Sequence, residues 1–123
     1  SVKIVVEPGF SIDAVADIDL IVILSNLLDN ATEAAGKCQN GYMKVSLFPQ
    51  NENHFSIIKI VNNYAGRIDA KEGRLRTDKA DKVRHGFGIQ NASDAVAKYG
   101  GYLQYFYKDG EFTAVVILPV PDF

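Results

Sequence analysis

The chain has a single cysteine, little net charge and no long apolar run, and each shortage removes a class of protein. Cys38 can form no disulfide within the chain, which is compatible with a reducing compartment. Thirteen Lys and Arg stand against fifteen Asp and Glu, a formal charge of −2. Such a balance gives no basis for a nucleic-acid partner or for adsorption to an anionic membrane surface. The most apolar stretch, Ile18 to Leu28, contains Asp19, Ser25 and Asn26 and is too short to span a bilayer. No secretory signal peptide opens the sequence. It begins instead with Ser1-Val2-Lys3-Ile4-Val5-Val6, which runs straight into a strand, so the sequence reads as a piece excised from a larger protein.

What remains is an ordinary folded composition of 123 residues, 47% hydrophobic and 23% charged, the size of one core. No repeat, low-complexity tract or linker divides it, which predicts one domain over 1–123. Val2 to Val6 is a β-branched strand ended by Pro8-Gly9. A helix is expected from Asp17 or Asp19, either of which would serve as N-cap, to about Ala35 with Gly36 as its stop. Its core-facing stripe would be Leu20, Leu24, Leu27, Leu28, Ala31 and Ala35. Tyr42 to Phe48 and Phe55 to Val61 form a hairpin around Gln50 to Asn53. Asn62 to Arg84 is polar, long and aperiodic, the profile of a functional loop. A second helix follows from Gly88 to Tyr99, with Ile89, Ala92, Val96 and Tyr99 on one side and Gly100-Gly101 as its stop. Tyr102 to Tyr107 and Glu111 to Leu118 close the chain as a hairpin around Asp109-Gly110. This order predicts an α/β two-layer sandwich, a mixed sheet with helices on one face.

Two segments carry candidate chemistry. On the first helix Asn26, Asn30 and Glu33 fall at steps of four and three and share a face away from the apolar stripe. By spacing alone this is a solvated surface. Two Asn are nevertheless mediocre helix formers, and a carboxamide oxygen can ligate Mg²⁺ while phosphates supply other oxygens. The second segment is His85-Gly86-Phe87-Gly88-Ile89-Gln90-Asn91, at the junction of loop and helix. Glycines there allow backbone amides to approach an anion, and a helix N-terminus adds partial positive charge. They also suit a plain loop-to-helix turn, and Lys79, Lys82 and Arg84 before them suit a solvated loop.

Together the segments are more specific than either alone. Leu-Ser-Asn-Leu-Leu-Asp-Asn-Ala-Thr-Glu-Ala-Ala, residues 24–35, resembles the asparagine box of histidine kinases, with an ending similar to that of the quorum-sensing and citrate-sensing receptor kinases. Residues 85–91 resemble their second glycine box. Ile60-Val61-Asn62-Asn63-Tyr64-Ala65-Gly66 stands where the gyrase, chaperone, histidine kinase and MutL superfamily keeps an Asp-x-Gly-x-Gly box. The three boxes occur in order over nearly the whole chain.

The resemblance implies the Bergerat fold, with ATP held between the boxes under a lid. It assigns Mg²⁺ to Asn30, with Asn26 on the phosphate side, and phosphate contacts to the amides of Gly86 and Gly88. It places Asn62 at the adenine amine and Gly66 against the base. Lys79, with Thr77, resembles a lid element, and His85, Phe87 and Ile89 complete the nucleotide's surroundings. Asn62 replaces the family's Asp, Tyr64 replaces its first Gly, and the glycine box has two glycines where many kinases have three. The implied activity is histidine phosphorylation in two-component signalling. The acceptor histidine would lie on a dimerisation hairpin outside this piece, with a response regulator downstream, so no catalytic residue is assigned within the chain. The whole protein would be a membrane-anchored homodimeric receptor with this part on the cytoplasmic side. Two alternatives are a degenerate module that binds a nucleotide or a partner without catalysis, and a free-standing anti-sigma-factor serine kinase. His54 and Cys38 read as incidental surface groups, and Tyr102, Tyr105, Phe106, Tyr107 and Phe112 as sheet packing.

Overall fold

The computed structural model describes residues 1–65, 68–69, 74–75 and 79–121, with the backbone alone for 68–69, 74–75 and 79–87. The order is β1 (Val2–Val6), α1 (Asp17–Gly36), β2 (Met43–Gln50), β3 (Phe55–Asn63), β4 (Ile68–Asp69), β5 (Arg74–Leu75), α2 (Lys79–Ala97), β6 (Tyr102–Lys108) and β7 (Glu111–Pro119). Five strands form one sheet in the order β1-β2-β3-β7-β6, and β4 and β5 pair separately. Among the described strands only β1 and β2 run parallel, because α1 connects them as a crossover; the other pairs are antiparallel. The sheet is therefore mixed, with both helices against one face, as the element order predicts.

Strand alternation places Ile58, Ile60 and Asn62 of β3 beside Val116, Ala114 and Phe112 of β7, all buried under the helices. α1 packs on β2 and β3 and α2 on β6 and β7, and the two helices pack on each other. The core is aliphatic, with Ile23, Leu27, Val96, Val116 and Leu118 nearly or fully buried. Asp109 and Gly110 both have positive φ, 51° and 82°, as a two-residue hairpin turn with right-handed twist requires. At Gly101 a Cβ would lie 2.3 Å from the Ile117 carbonyl, so only glycine lets the chain leave α2 and enter β6 there.

Several expectations shift. The buried row of α1 is Asp19, Ile23, Leu27 and Ala31, one step round from the stripe read in the sequence, and Leu20, Leu24 and Leu28 are only half-buried. The N-cap is Ala16, not Asp17 or Asp19, and it makes no side-chain cap. Tyr99 supplies one instead. Its hydroxyl accepts from the Ala16 N–H at 3.0 Å and donates to the Asp19 carboxylate, which also takes the Lys98 ammonium at 2.9 Å. A carboxylate in the first turn that reaches back toward the N-cap amide is the logic of a capping box, here bridged by a tyrosine from beyond α2. The long polar segment is not loop throughout: its start extends β3, and α2 begins at Lys79 rather than Gly88. Ala80, Lys82 and Arg84 are good helix formers, and two glycines cost the helix only about 1 kcal/mol each.

The Tyr99 hydroxyl, then Lys98, holds the Asp19 carboxyl below the usual carboxylate range. Asp19 therefore contributes stability that is complete above its unfolded value, about 3.9, and is lost as pH falls through the lower folded value. Tyr99→Phe should lower the melting temperature at pH 7. Its deficit relative to the parent should narrow once the pH falls below that range; a deficit independent of pH from 7 to 3 would show that the lost contacts do not act through the Asp19 charge.

Candidate functional site

β3 ends in two asparagines with different surroundings. Asn63 has both polar atoms engaged: its Oδ1 accepts from the Tyr42 N–H at 2.8 Å and its Nδ2 donates to the Asn40 carbonyl at 2.9 Å, pinning the turn into β2. Asn62 has no exposed surface. Its Nδ2 donates to the Asn63 carbonyl at 2.9 Å, while its Oδ1 is the one buried side-chain polar atom without a partner among the described residues. Only the NH₂ can face a carbonyl, so the amide's orientation is fixed by chemistry and the oxygen must be the orphan. An orphaned buried acceptor costs about 1–3 kcal/mol, so this one calls for a donor from outside the described residues.

An aromatic corner stands beside it. Phe112 pairs with Asn62 across the β3–β7 ladder, Tyr107 lies on Phe112 with ring centroids 4.8 Å apart, and Tyr64 meets Tyr107 edge-on at 5.8 Å. The Tyr64 N–H donates to the Gly110 carbonyl at 3.2 Å. Tyr107 and Phe112 pack the sheet as their sequence context suggests, whereas Tyr102, Tyr105 and Phe106 are exposed. Sequence reasoning missed the Tyr64–Tyr107 contact, since nothing local signals a pair 43 positions apart.

α1 carries Asn26 and Asn30, both half-buried. The Asn26 Nδ2 donates to the Val22 carbonyl at 2.7 Å, which fixes its side chain along the helix. A Cβ on Gly88 would lie 3.3 Å from the Asn26 Oδ1, so the asparagine and glycine segments meet face to face. Asn30 makes no hydrogen bond to any described residue, which leaves its carboxamide available to a ligand. Glu33, on the same face, approaches Lys37 at 3.9 Å. Ile89 is half-buried on α2.

Other predicted site residues are placed only in part. Gly66 and Thr77 lie outside the described residues, and Lys79, His85, Gly86 and Phe87 are described as backbone of α2. Gly86 and Gly88 are thus interior to a helix and not at its N-terminus, and interior amides are committed to carbonyls four residues back. Among the described residues no three His, Cys, Asp or Glu side chains gather, so a cation here would depend on a carboxamide and on oxygens of the ligand itself.

Helices on one face of this mixed sheet, with an asparagine helix facing a glycine-bearing one, make a two-layer α/β sandwich. The chain belongs to the GHKL domain family, whose pattern it matches over residues 15–119. No curated protein matches its sequence. Its fold is shared with the catalytic domain of the histidine kinase ThkA (TM-score 0.68, 14% identity, covering 97% of this chain and 78% of that one). It is shared also with the histidine kinase domain of the E. coli osmosensor EnvZ (0.68, 19%, 99% and 76%) and the blue-light activated histidine kinase of Erythrobacter litoralis (0.67, 13%, 97% and 35%).

Proposed function

We propose that this domain binds Mg-ATP and presents its γ-phosphate to a histidine on a separate dimerisation hairpin, as one step of two-component signalling. The observation that carries the reading is the orphaned Asn62 Oδ1, a buried acceptor at the end of β3. The exocyclic amine of adenine supplies the donor that it lacks. Asn63, one residue on, has both of its polar atoms engaged and lacks the unmet acceptor that Asn62 has. The aromatic corner of Tyr64 and Tyr107 bounds the base side, and the Asn26–Gly88 contact marks the phosphate side.

Asn30 would hold the magnesium ion through its carboxamide oxygen, and the ion would supply charge neutralisation at the phosphates. What the chain itself does is position the nucleotide and exclude water from the base. Presenting the Gly86 and Gly88 amides to phosphate requires α2 to begin later than Lys79. Residues 79–87 would therefore unwind on binding, at reduced cost because Gly86 within the stretch and Gly88 next to it already weaken the helix there. The assignment to the quorum-sensing and citrate-sensing subgroup rests on residues 24–35. In the whole protein this domain would lie on the cytoplasmic side of a membrane-anchored homodimer.

Calorimetric titration with Mg-ATP, accompanied by far-UV circular dichroism, tests the reading. A saturable one-to-one isotherm that disappears in EDTA is expected, with helical signal falling as nucleotide binds. A folded chain that takes up no Mg-ATP would remove it.

A further inference from the structure

The two helices do not cover the whole sheet. Over β1 the helix-side surface is bare: Val2, Ile4 and Val6 point to that face and remain 63%, 65% and 60% exposed. Between them and α1 runs an apolar groove of about 360 Å³, lined among others by Phe10, Leu20, Leu24, Leu28 and Leu47. Leu20, Leu24 and Leu28 are the residues whose spacing marks them as core-facing, and here their outer sides face the groove. Ile21, 64% exposed, lies in the adjacent helical row of α1. A contiguous apolar surface of this kind marks an interaction site. Among the described residues no strand pairs with the outer edge of β1, whose only charged side chain is Lys3.

Charge decides among the occupants. From Ile4 to Gly36, the stretch that supplies β1, the following loop and α1, there are six carboxylates and no Lys, Arg or His. Asp19 is matched by Lys98 and Glu33 by Lys37. Glu7, Asp13, Asp17 and Asp29 are exposed and form no ion pair among the described residues. A second copy docking the same face would bring this acidic stretch against its own counterpart, and an anionic lipid surface would be repelled. A helix suits the shape, since α1 and α2 already form a helical layer on this face that stops short of β1.

We infer that the β1–α1 groove is a docking site for an amphipathic partner helix with an aliphatic stripe and flanking lysines or arginines. The helix would lie beside α1, bury Val2, Ile4 and Ile21, and complete the layer over β1. The site is separate from Asn62 and Asn30 and does not depend on nucleotide.

The probe is a fluorescent synthetic helix of about five turns, with leucines at i, i+3, i+4 and i+7 and lysines elsewhere, compared with the same leucines among glutamates. The lysine peptide should bind saturably and shift amide resonances of β1 and the outer face of α1. The glutamate peptide should bind at least about tenfold more weakly. Ile4→Asn with Ile21→Asn should weaken the lysine peptide by about tenfold or more without lowering the melting temperature, because both side chains are already mostly in water. Asp17→Asn with Asp29→Asn should flatten the salt dependence. Equal affinity for the two peptides, resonance shifts away from the groove, or indifference to the isoleucine pair would overturn the inference. So would self-association in sedimentation that the isoleucine pair abolishes, since the occupant would then be a second copy.

Discussion

Asn30→Ala is expected to remove magnesium-dependent nucleotide binding while the protein stays as stable as its parent or slightly more so. The side chain makes no hydrogen bond to a described residue, so its loss breaks no internal contact. Alanine is the better helix former by at most about 0.7 kcal/mol. Removing residues that merely support a metal's ligands commonly costs 10–100-fold in affinity, so loss of a direct ligand should cost at least about 100-fold. Asn30→Asp is the matched control, because a carboxylate keeps the oxygen ligand and adds charge. It should retain dependence on magnesium where Ala does not. Titration with Mg-ADP and with ADP in EDTA, paired with thermal melts, separates the outcomes. If the alanine variant binds Mg-ADP as the parent does, Asn30 holds no metal.

Much of this arrangement can be read from the residues alone, where the signal is local. β-branched runs, the Asp109-Gly110 turn and the glycine stop after α2 each act within a few positions, and they place the strands and helix ends within a few residues. The asparagine face of α1 follows from helical spacing in the same way. What sequence misses is tertiary. Tyr99 caps a helix 83 positions away, so Asp17 and Asp19 are natural but mistaken choices for the N-cap. The start of α2 is missed because glycines read as a boundary, although helix formers on their N-terminal side carry the helix through them. The stripe on α1 is misjudged by one step because the helix packs on β2 and β3 and leaves its β1 side uncovered. Asn62 and Asn63 are indistinguishable as letters; only their hydrogen bonds show that one is satisfied and the other is not.

That difference yields graded base selectivity from three side chains at position 62. In the parent the Asn62 NH₂ is held by the Asn63 carbonyl, so its oxygen is left without a donor and would suit the adenine amine. Guanine carries a carbonyl oxygen at that place and would meet an acceptor. The carboxamide can turn to accommodate it only by giving up the bond to Asn63, worth about 0.5–1.5 kcal/mol. ADP should therefore be preferred over GDP by roughly two- to tenfold. Asn62→Asp has no donor to turn inward, so guanine would leave two acceptors facing each other at about 1–3 kcal/mol. Its preference should rise toward roughly a hundredfold. The same carboxylate would be fully buried and would face the Asn63 carbonyl without a donor, so the variant should be the least stable of the three without nucleotide. Asn62→Val offers neither acceptor nor donor, so ADP affinity should fall while the ratio of the two dissociation constants approaches one. Because valine also deletes an unsatisfied acceptor, its nucleotide-free stability should stay within about 1 kcal/mol of the parent. Dissociation constants for ADP and GDP on the three proteins, with melts of each nucleotide-free form, give the full pattern. If the ratio is the same in all three, position 62 does not read the base, and the orphaned oxygen belongs to some other ligand.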